Sequence, residues 1–411
     1  MVITNLMKWG KLMNIAVAQS GGPTCAINAS LVGVFGEAIK TPEIDAVFGS
    51  INGIEGIIGD NLINLRQIIK SNEDMELLRQ TPSTVLGSCR YKLPDIEEDR
   101  SVYEKIFACL TKHRIGAFFY IGGNDSMDTV AKLSDYLSDI GSDIKVIGIP
   151  KTIDNDLPET DHTPGFGSAA KYVAATVQEI IRDSSVYSIE SVTIIEIMGR
   201  HAGWLTASTC VLRANDEIAP HLIYLPESPF TEEKFLEDVR EMMAKHKALV
   251  IAVSEGVRLK RDLDKPRVID NFGHEYLSGI GKTLEQIIKE SIGCKVRSIE
   301  LNVMQRCSSH ICSKTDIDEA VSIGEAGVKA ALSGESGKMM SFKRISHVPY
   351  VIDIVSVDAH LTANKEKFFP SKWINTAQND ISPDAIKYFL PLIQGEVNIA
   401  MKNGMPVHYK L

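Results

Sequence analysis

The sequence predicts an α/β protein: two parallel-sheet domains covered by helices, followed by a C-terminal extension. Three observations predict it. Apolar runs of strand length recur, each run ends in a polar or glycine-containing turn, and a stretch of helical period follows most of these turns. Runs that are apolar throughout and alternate with helices build parallel sheets buried on both faces. The 411 residues exceed what one compact domain holds, so two or more are expected.

The first unit, "NIAVAQSGG" from Asn14, leads into a helical stretch over residues 25–39. "IGAFFYIGGNDS" leads into "MDTVAKLSDYL", and "DIKVIGIPKT" leads through a long loop into "GSAAKYVAATVQEIIRD". "SVTIIEIMGR" precedes "AGWLTASTCVL", while "ALVIAVSEG" and "KVRSIELNVMQR" are further apolar strands. Residues 13–160 make the first domain on this reading, and residues 161–304 the second. The helix "DIDEAVSIGEAGVKAAL" returns the chain, so residues from about 305 to 337 rejoin the first domain. Residues 338–411, with "YVIDIVSVDAHL" and a helix near "PDAIKYFLPLI", are the extension, packed on the body or on a second subunit. Residues 1–12 read as a loose extension with no small-residue cleavage site, so no signal peptide is expected.

A net charge of −9 argues against nucleic acid or an anionic membrane as the main partner. No apolar run approaches the roughly 20 residues that span a bilayer. The seven cysteines are scattered and match no zinc spacing, so reduced thiols in a cytoplasmic protein are expected. An anionic ligand would need cations gathered locally.

Polar residues cluster at the strand ends, where open α/β sheets bind ligands. "QSGGPTCAIN", residues 19–28, places a glycine turn before a helix. Such a turn lets backbone N–H groups and a helix dipole meet an anion, but it also serves as a plain structural turn. No Walker lysine follows, and the third glycine of a dinucleotide fingerprint is missing. In "GGNDS", Asp125 and Ser126 are either helix N-caps or a second phosphate or metal contact. "IPKTIDNDLPET", residues 149–160, sets Lys151 beside Asp154, Asp156 and Glu159. An aspartate at a rigid strand end can accept a hydroxyl proton, and a neighbouring cation can neutralise a transferring phosphoryl group. A solvated turn is the alternative. Arg90, Arg200, His201, Arg297, Arg306 and His310 are the cations suited to an anion site, and Glu255 is a strand-end acid able to hold sugar hydroxyls.

From Asn14 to Leu332, "PKTIDND" together with "GGNDS" and "MGR" resembles the phosphofructokinase family, which phosphorylates the 1-hydroxyl of fructose 6-phosphate. The resemblance implies two Rossmann-like domains. It implies Asp154 as general base, with Thr152 and Ile153 in the same substrate loop and Asp156 as a supporting carboxylate. Met198, Gly199 and Arg200 look like the sugar-phosphate segment, Glu255 like the sugar-hydroxyl ligand, and Arg297 and Arg306 like the arginines on the substrate phosphate. Gly22, Arg90, Gly123, Asn124 and Ser126 fall at the donor, with Asn124 where many members hold Mg²⁺ through an aspartate. Assembly as a homodimer or homotetramer is implied on the same ground.

The donor is read from substitutions. ATP-using members of the family carry glycine at the positions of Asp125 and Lys151, and pyrophosphate-using members carry Asp and Lys. A carboxylate about 4 Å from a nucleotide phosphate costs on the order of 4 kcal/mol at an effective dielectric near 20, roughly a thousandfold in affinity. Asp125 would repel ATP and Lys151 would face the transferring phosphoryl. Ile54 stands where ATP-using relatives offer an aromatic to adenine. Ser191 and Val303 replace substrate ligands of many members, which leaves the sugar less defined than the reaction. The expected reaction is therefore transfer from pyrophosphate to fructose 6-phosphate. An ATP-dependent enzyme, a non-catalytic regulatory subunit and a dinucleotide oxidoreductase are the alternatives.

Overall fold

The computed structural model describes residues 13–186, 188–259, 277 and 279–411. The loose extension expected at residues 1–12 lies outside them. In chain order the first elements are β1 (Met13–Gln19), α1 (Ile27–Lys40), β2 (Ile44–Ser50), α2 (Ile54–Ile58), β3 (Leu62–Asn64), α3 (Asn72–Arg79), α4 (Arg100–Lys112), β4 (Ile115–Gly122), α5 (Asn124–Asp139) and β5 (Lys145–Pro150). Next come α6 (Phe166–Ser184), β6 (Ser191–Ile197), α7 (Trp204–Ala207), β7 (Leu222–Tyr224), α8 (Glu232–Met243), β8 (Ala248–Ser254), α9 (Ile280–Ser291) and β9 (Lys295–Glu300). The chain ends with α10 (Lys314–Leu332), β10 (Lys338–His347), β11 (Tyr350–Asp358), α11 (Ile386–Phe389), β12 (Met401–Lys402) and β13 (Met405–Pro406).

The first large sheet has the order β11-β10-β5-β4-β1-β2-β3. From β1 the chain winds through α1 to β2 on one side, and from β4 through α5 to β5 on the other. The carboxyl ends of β1 and β4, which are adjacent and parallel, therefore form the switch point at which such sheets open a crevice. The second sheet, β7-β8-β6-β9, is parallel throughout. All seven residues of β1 are buried, as are the last six of β4, which is what their unbroken apolar runs require.

Of the expected C-terminal extension, residues 338–358 become strands of the first sheet itself. After α10 crosses over, β10 pairs in parallel with β5, and β11 pairs back on it as an antiparallel edge. The buried "MMSF" at Met339–Phe342 supplies the apolar face that the sheet continues to cover. Beyond β11 the chain crosses to the second half. There Phe369, Trp373, Tyr388 and Phe389 pack around Trp204, with Phe369 and Tyr388 ring centroids 5.1 and 5.4 Å from it. The helix expected near residues 383–393 is broken into short 3-10 and α turns around α11, and Pro391 disrupts its end.

Helices α1 and α10 cross at contact distance because each carries glycine at the crossing. A Cβ on Gly33 would lie 2.0 Å from the Val321 carbonyl oxygen, and one on Gly324 would lie 2.3 Å from that of Ser30. Gly324→Val should therefore lower unfolding stability by roughly 1–3 kcal/mol in urea titrations, with overpacking as the cause. Unchanged stability would contradict so close a crossing.

Candidate active site

The carboxyl ends of both sheets face one cavity of about 480 Å³. From the first sheet it receives the turns after β1, β4 and β5, and from the second the turns after β6, β8 and β9. The sheet ladders run on into the loops: Ser20 N–H donates to Ile121 C=O at 2.9 Å, and Lys151 N–H to Gly122 C=O at 2.9 Å. The first residues of the functional loops are thereby fixed.

Lys151 is the most enclosed charge in this group, only 2% exposed. Its ammonium donates to Gly22 C=O at 2.7 Å. Gly21 adopts φ +74°, and a Cβ there would lie 3.2 Å from the Lys151 nitrogen, so glycine serves both the backbone and the cation. Burial brings the Lys151 pKa down to about 8, opposed by Asp154 and Asp156 and reinforced by Arg306 and Arg200. Burial raises Asp154, while Arg200, Lys151 and Arg306 pull it back. Asp156 is pushed up to about 7 by burial and by the charges of Asp154 and Glu366. The Asp154 backbone N–H donates to the Thr152 hydroxyl at 3.1 Å, and Thr152 C=O accepts from the Thr163 hydroxyl at 2.8 Å.

At the donor end, Gly123 is the N-cap of α5 and makes no side-chain cap. Asp125 and Ser126 are thus first-turn residues rather than caps. The Asp125 carboxylate occupies a helix end that would otherwise favour a phosphate. Asp125 is exposed, so solvent screens its repulsion below the value for an enclosed pair. Ser126 packs over Gly122, where a Cβ would meet its hydroxyl at 1.9 Å. The Asn124 amide nitrogen donates to Lys365 C=O at 2.7 Å, leaving its oxygen as an acceptor. Gly22, Arg90 and Gly123 line the same end.

At the opposite end, Glu255 accepts from the N–H groups of Gly199 at 3.2 Å and Arg200 at 3.0 Å. These bonds hold Arg200 at φ +51°, a conformation that costs a non-glycine residue about 1–2 kcal/mol. Glu255 therefore anchors the turn first, and it too is pushed up to about 7 by burial. Met198 and Arg200 line the cavity, with Met198 N–H donating to Gln305 at 3.2 Å; Gly199 shapes the turn without lining it. Thr152, Ile153, Asp154, Asp156 and Arg306 also line the cavity. Arg306 approaches the donor turn, since a Cβ on Gly22 would lie 3.4 Å from its guanidinium.

One expectation fails in this chain. Arg297 lies outside the cavity, with its guanidinium on Asp183 at 2.5 Å and Ser184 at 3.2 Å. It sits within β9, and the residue at the strand end that reaches the cavity is Glu300. Ile54, expected to offer no aromatic to adenine, is fully buried in α2 among core side chains. Sequence reasoning missed Thr24, Tyr91, Glu196 and Asn302, which line the cavity, and Gln305, which positions Met198. Tyr91 adjoins Arg90 and could have been found from it; Gln305 gave no pattern to find.

A family model described as phosphofructokinase matches residues 14–330. The chain belongs to the phosphofructokinase family. Among relatives of this phosphofructokinase, a pyrophosphate–fructose 6-phosphate 1-phosphotransferase of Halomonas elongata is 40% identical over 404 residues, covering 97% of this chain and 96% of its own. The solved pyrophosphate-dependent phosphofructokinase of Marinobacter aquaeolei superposes with a TM-score of 0.86 at 36% identity, covering 97% of this chain and 96% of its own. A sulfofructose kinase of Alkalicoccus urumqiensis is 32% identical over 364 residues, 88% of this chain and 92% of its own.

The charge pattern sets a pH window. Below about 7, Asp156 and Glu255 take up protons; above about 8, Lys151 loses its proton. The profile of kcat/KM should be bell-shaped with limbs near those values, as macroscopic constants of a coupled site. Lys151→Arg should displace the alkaline limb upward, because a guanidinium stays charged. An alkaline limb unmoved by that change would contradict the assignment to Lys151.

Proposed function

We propose that this chain transfers a phosphoryl group from inorganic pyrophosphate to the 1-hydroxyl of fructose 6-phosphate, reversibly, giving fructose 1,6-bisphosphate and orthophosphate. One observation carries the reading: Asp125 at the start of α5 and the enclosed ammonium of Lys151 face the same cavity as Asp154. The carboxylate opposes a nucleotide polyphosphate at the helix end, and the ammonium supplies positive charge for a smaller donor. The relatives' names and the overall similarity support this choice of donor over ATP.

In the reaction, Asp154 accepts the proton of the sugar 1-hydroxyl as that oxygen attacks the terminal phosphorus. The bond from phosphorus to the bridging oxygen breaks, and its electron pair leaves with orthophosphate. Lys151 and Arg306 neutralise the donor's oxygens, while Gly22, Arg90, Gly123 and Ser126 shape its pocket. Thr152, Ile153, Met198, Gly199, Arg200 and Glu255 frame the sugar phosphate. Mg²⁺ fits this site. One oxygen of Asp156 is buried with no hydrogen-bond partner among the described residues, and the carboxyl is crowded by Asp154 and Glu366. Asp156 and Asn124 would hold the ion, which when bound neutralises donor charge.

We further infer a cytoplasmic homodimer or homotetramer, with the donor half in residues 13–160 and about 305–337, completed by the sheet strands of residues 338–358. No helix among the described residues is long and apolar enough to cross a membrane. The sulfofructose kinase relative makes the sugar a point for direct assay beside fructose 6-phosphate.

Purified chain assayed with pyrophosphate and ATP in parallel should turn over with pyrophosphate and hardly with ATP; a strong ATP preference would overturn the donor. Asp154→Ala should lower kcat by about 10²- to 10⁴-fold with KM little changed, and retained activity would remove Asp154 from the base role.

A further inference from the structure

Beyond the residues matched by the family model, the chain bridges the two halves once more. Residues 364–369 touch both halves in succession. The Asn364 amide donates to Asp128 of α5 at 2.8 Å, and Lys365 C=O holds Asn124. Glu366 meets His201 at 3.3 Å, beside Arg200. Phe369 N–H donates to Glu227 at 2.7 Å, and the same oxygen accepts Gly203 N–H at 2.9 Å.

Lys367 is the centre of this run. Its backbone N–H donates to Asp156 C=O at 2.6 Å, and its C=O accepts from the Trp204 indole at 3.0 Å. Its ammonium donates to Asn155 Oδ1 at 3.2 Å, Thr160 C=O at 3.0 Å and Asp161 C=O at 2.9 Å. It also lies 4.9 Å from the centroid of the Trp204 ring. A lysine has three N–H donors, and here each has an acceptor, so none is left for a ligand. The loop it grips needs gripping. Asn155 and Glu159 stand at φ +54° and +61°, sparsely populated conformations that persist only where the surroundings impose them.

We propose that Lys367 is a positioning residue for the loop bearing Asp154 and Asp156, and that residues 364–369 form a strap holding the donor and sugar halves at working distance. The strap touches the donor side through Asn124, the loop through Asp156 and Asn155, and the sugar side through His201 and Trp204. The catalytic part of this proposal rests on the activity proposed above; the mechanical part does not.

The test compares wild type with Lys367→Met, which keeps the stem over Trp204 and removes the donors, and with Lys367→Arg. Lys367→Met should lower kcat about 10- to 100-fold with both KM values within about 3-fold, the mark of a displaced reacting group. Lys367→Arg, retaining charge and donors, should recover part of that loss. Amide exchange over residues 152–161 should quicken in Lys367→Met while other regions keep their protection. Unchanged kcat, or a general loss of stability with loop exchange unaltered relative to the rest, would overturn the proposal. Should neither variant fold, wild type decides: the strap and the loop should exchange as one cooperative unit, and independent exchange would overturn it. A wild type inactive with pyrophosphate but active with ATP would refute the donor reading alone, and the same kcat comparison would then run with ATP.

Discussion

The site depends on one enclosed ammonium. Lys151 sits where the first sheet opens, bonded to the donor turn through Gly22 and surrounded by Asp154, Asp156, Arg200 and Arg306. Taking that charge out of water is costly, which is why its pKa falls to about 8. The adjacent carboxylates keep it from falling further, and the ammonium in turn keeps Asp154 from rising further. Each group is held in its working state by the other, so neither is a substitutable surface charge.

That mutual support explains how a chain of net charge −9 can still present positive charge to the anionic substrates proposed for it. Arg90, Lys151, Arg200 and Arg306 are gathered on the cavity wall, and the carboxylates among them sit at defined strand ends. Asp125 lies at the α5 terminus, Asp154 and Asp156 follow β5, and Glu255 follows β8. Glu255 shows that a strand-end acid can serve the backbone before it serves a ligand. It accepts two N–H groups and thereby keeps Arg200 in a strained turn facing the cavity.

Much of this was legible in the sequence because strand ends announce themselves. "SGG", "GGNDS" and "PKTIDND" follow buried runs, and a parallel sheet brings such ends to one edge. The same rule misled at Arg297, where an apolar run reads through to Arg306 but the strand stops at Glu300 and the arginine lies within it. The strap was illegible for a different reason. Lys367 meets Asn155 across 212 residues of chain, and "NKEK" looks like any solvated charge cluster. Late strands such as β10 are hard to assign likewise, because their partner β5 lies far back in the sequence.

The most direct measurement is NMR titration of the Lys151 side chain with isotope-labelled lysine, assigned by comparison with Lys151→Arg. Titration near 8 is expected in the free protein, with a clear upward displacement when pyrophosphate saturates the site, since a bound anion favours the charged form. An ordinary value near 10.5, indifferent to pyrophosphate, would show that this ammonium is neither enclosed nor facing the donor.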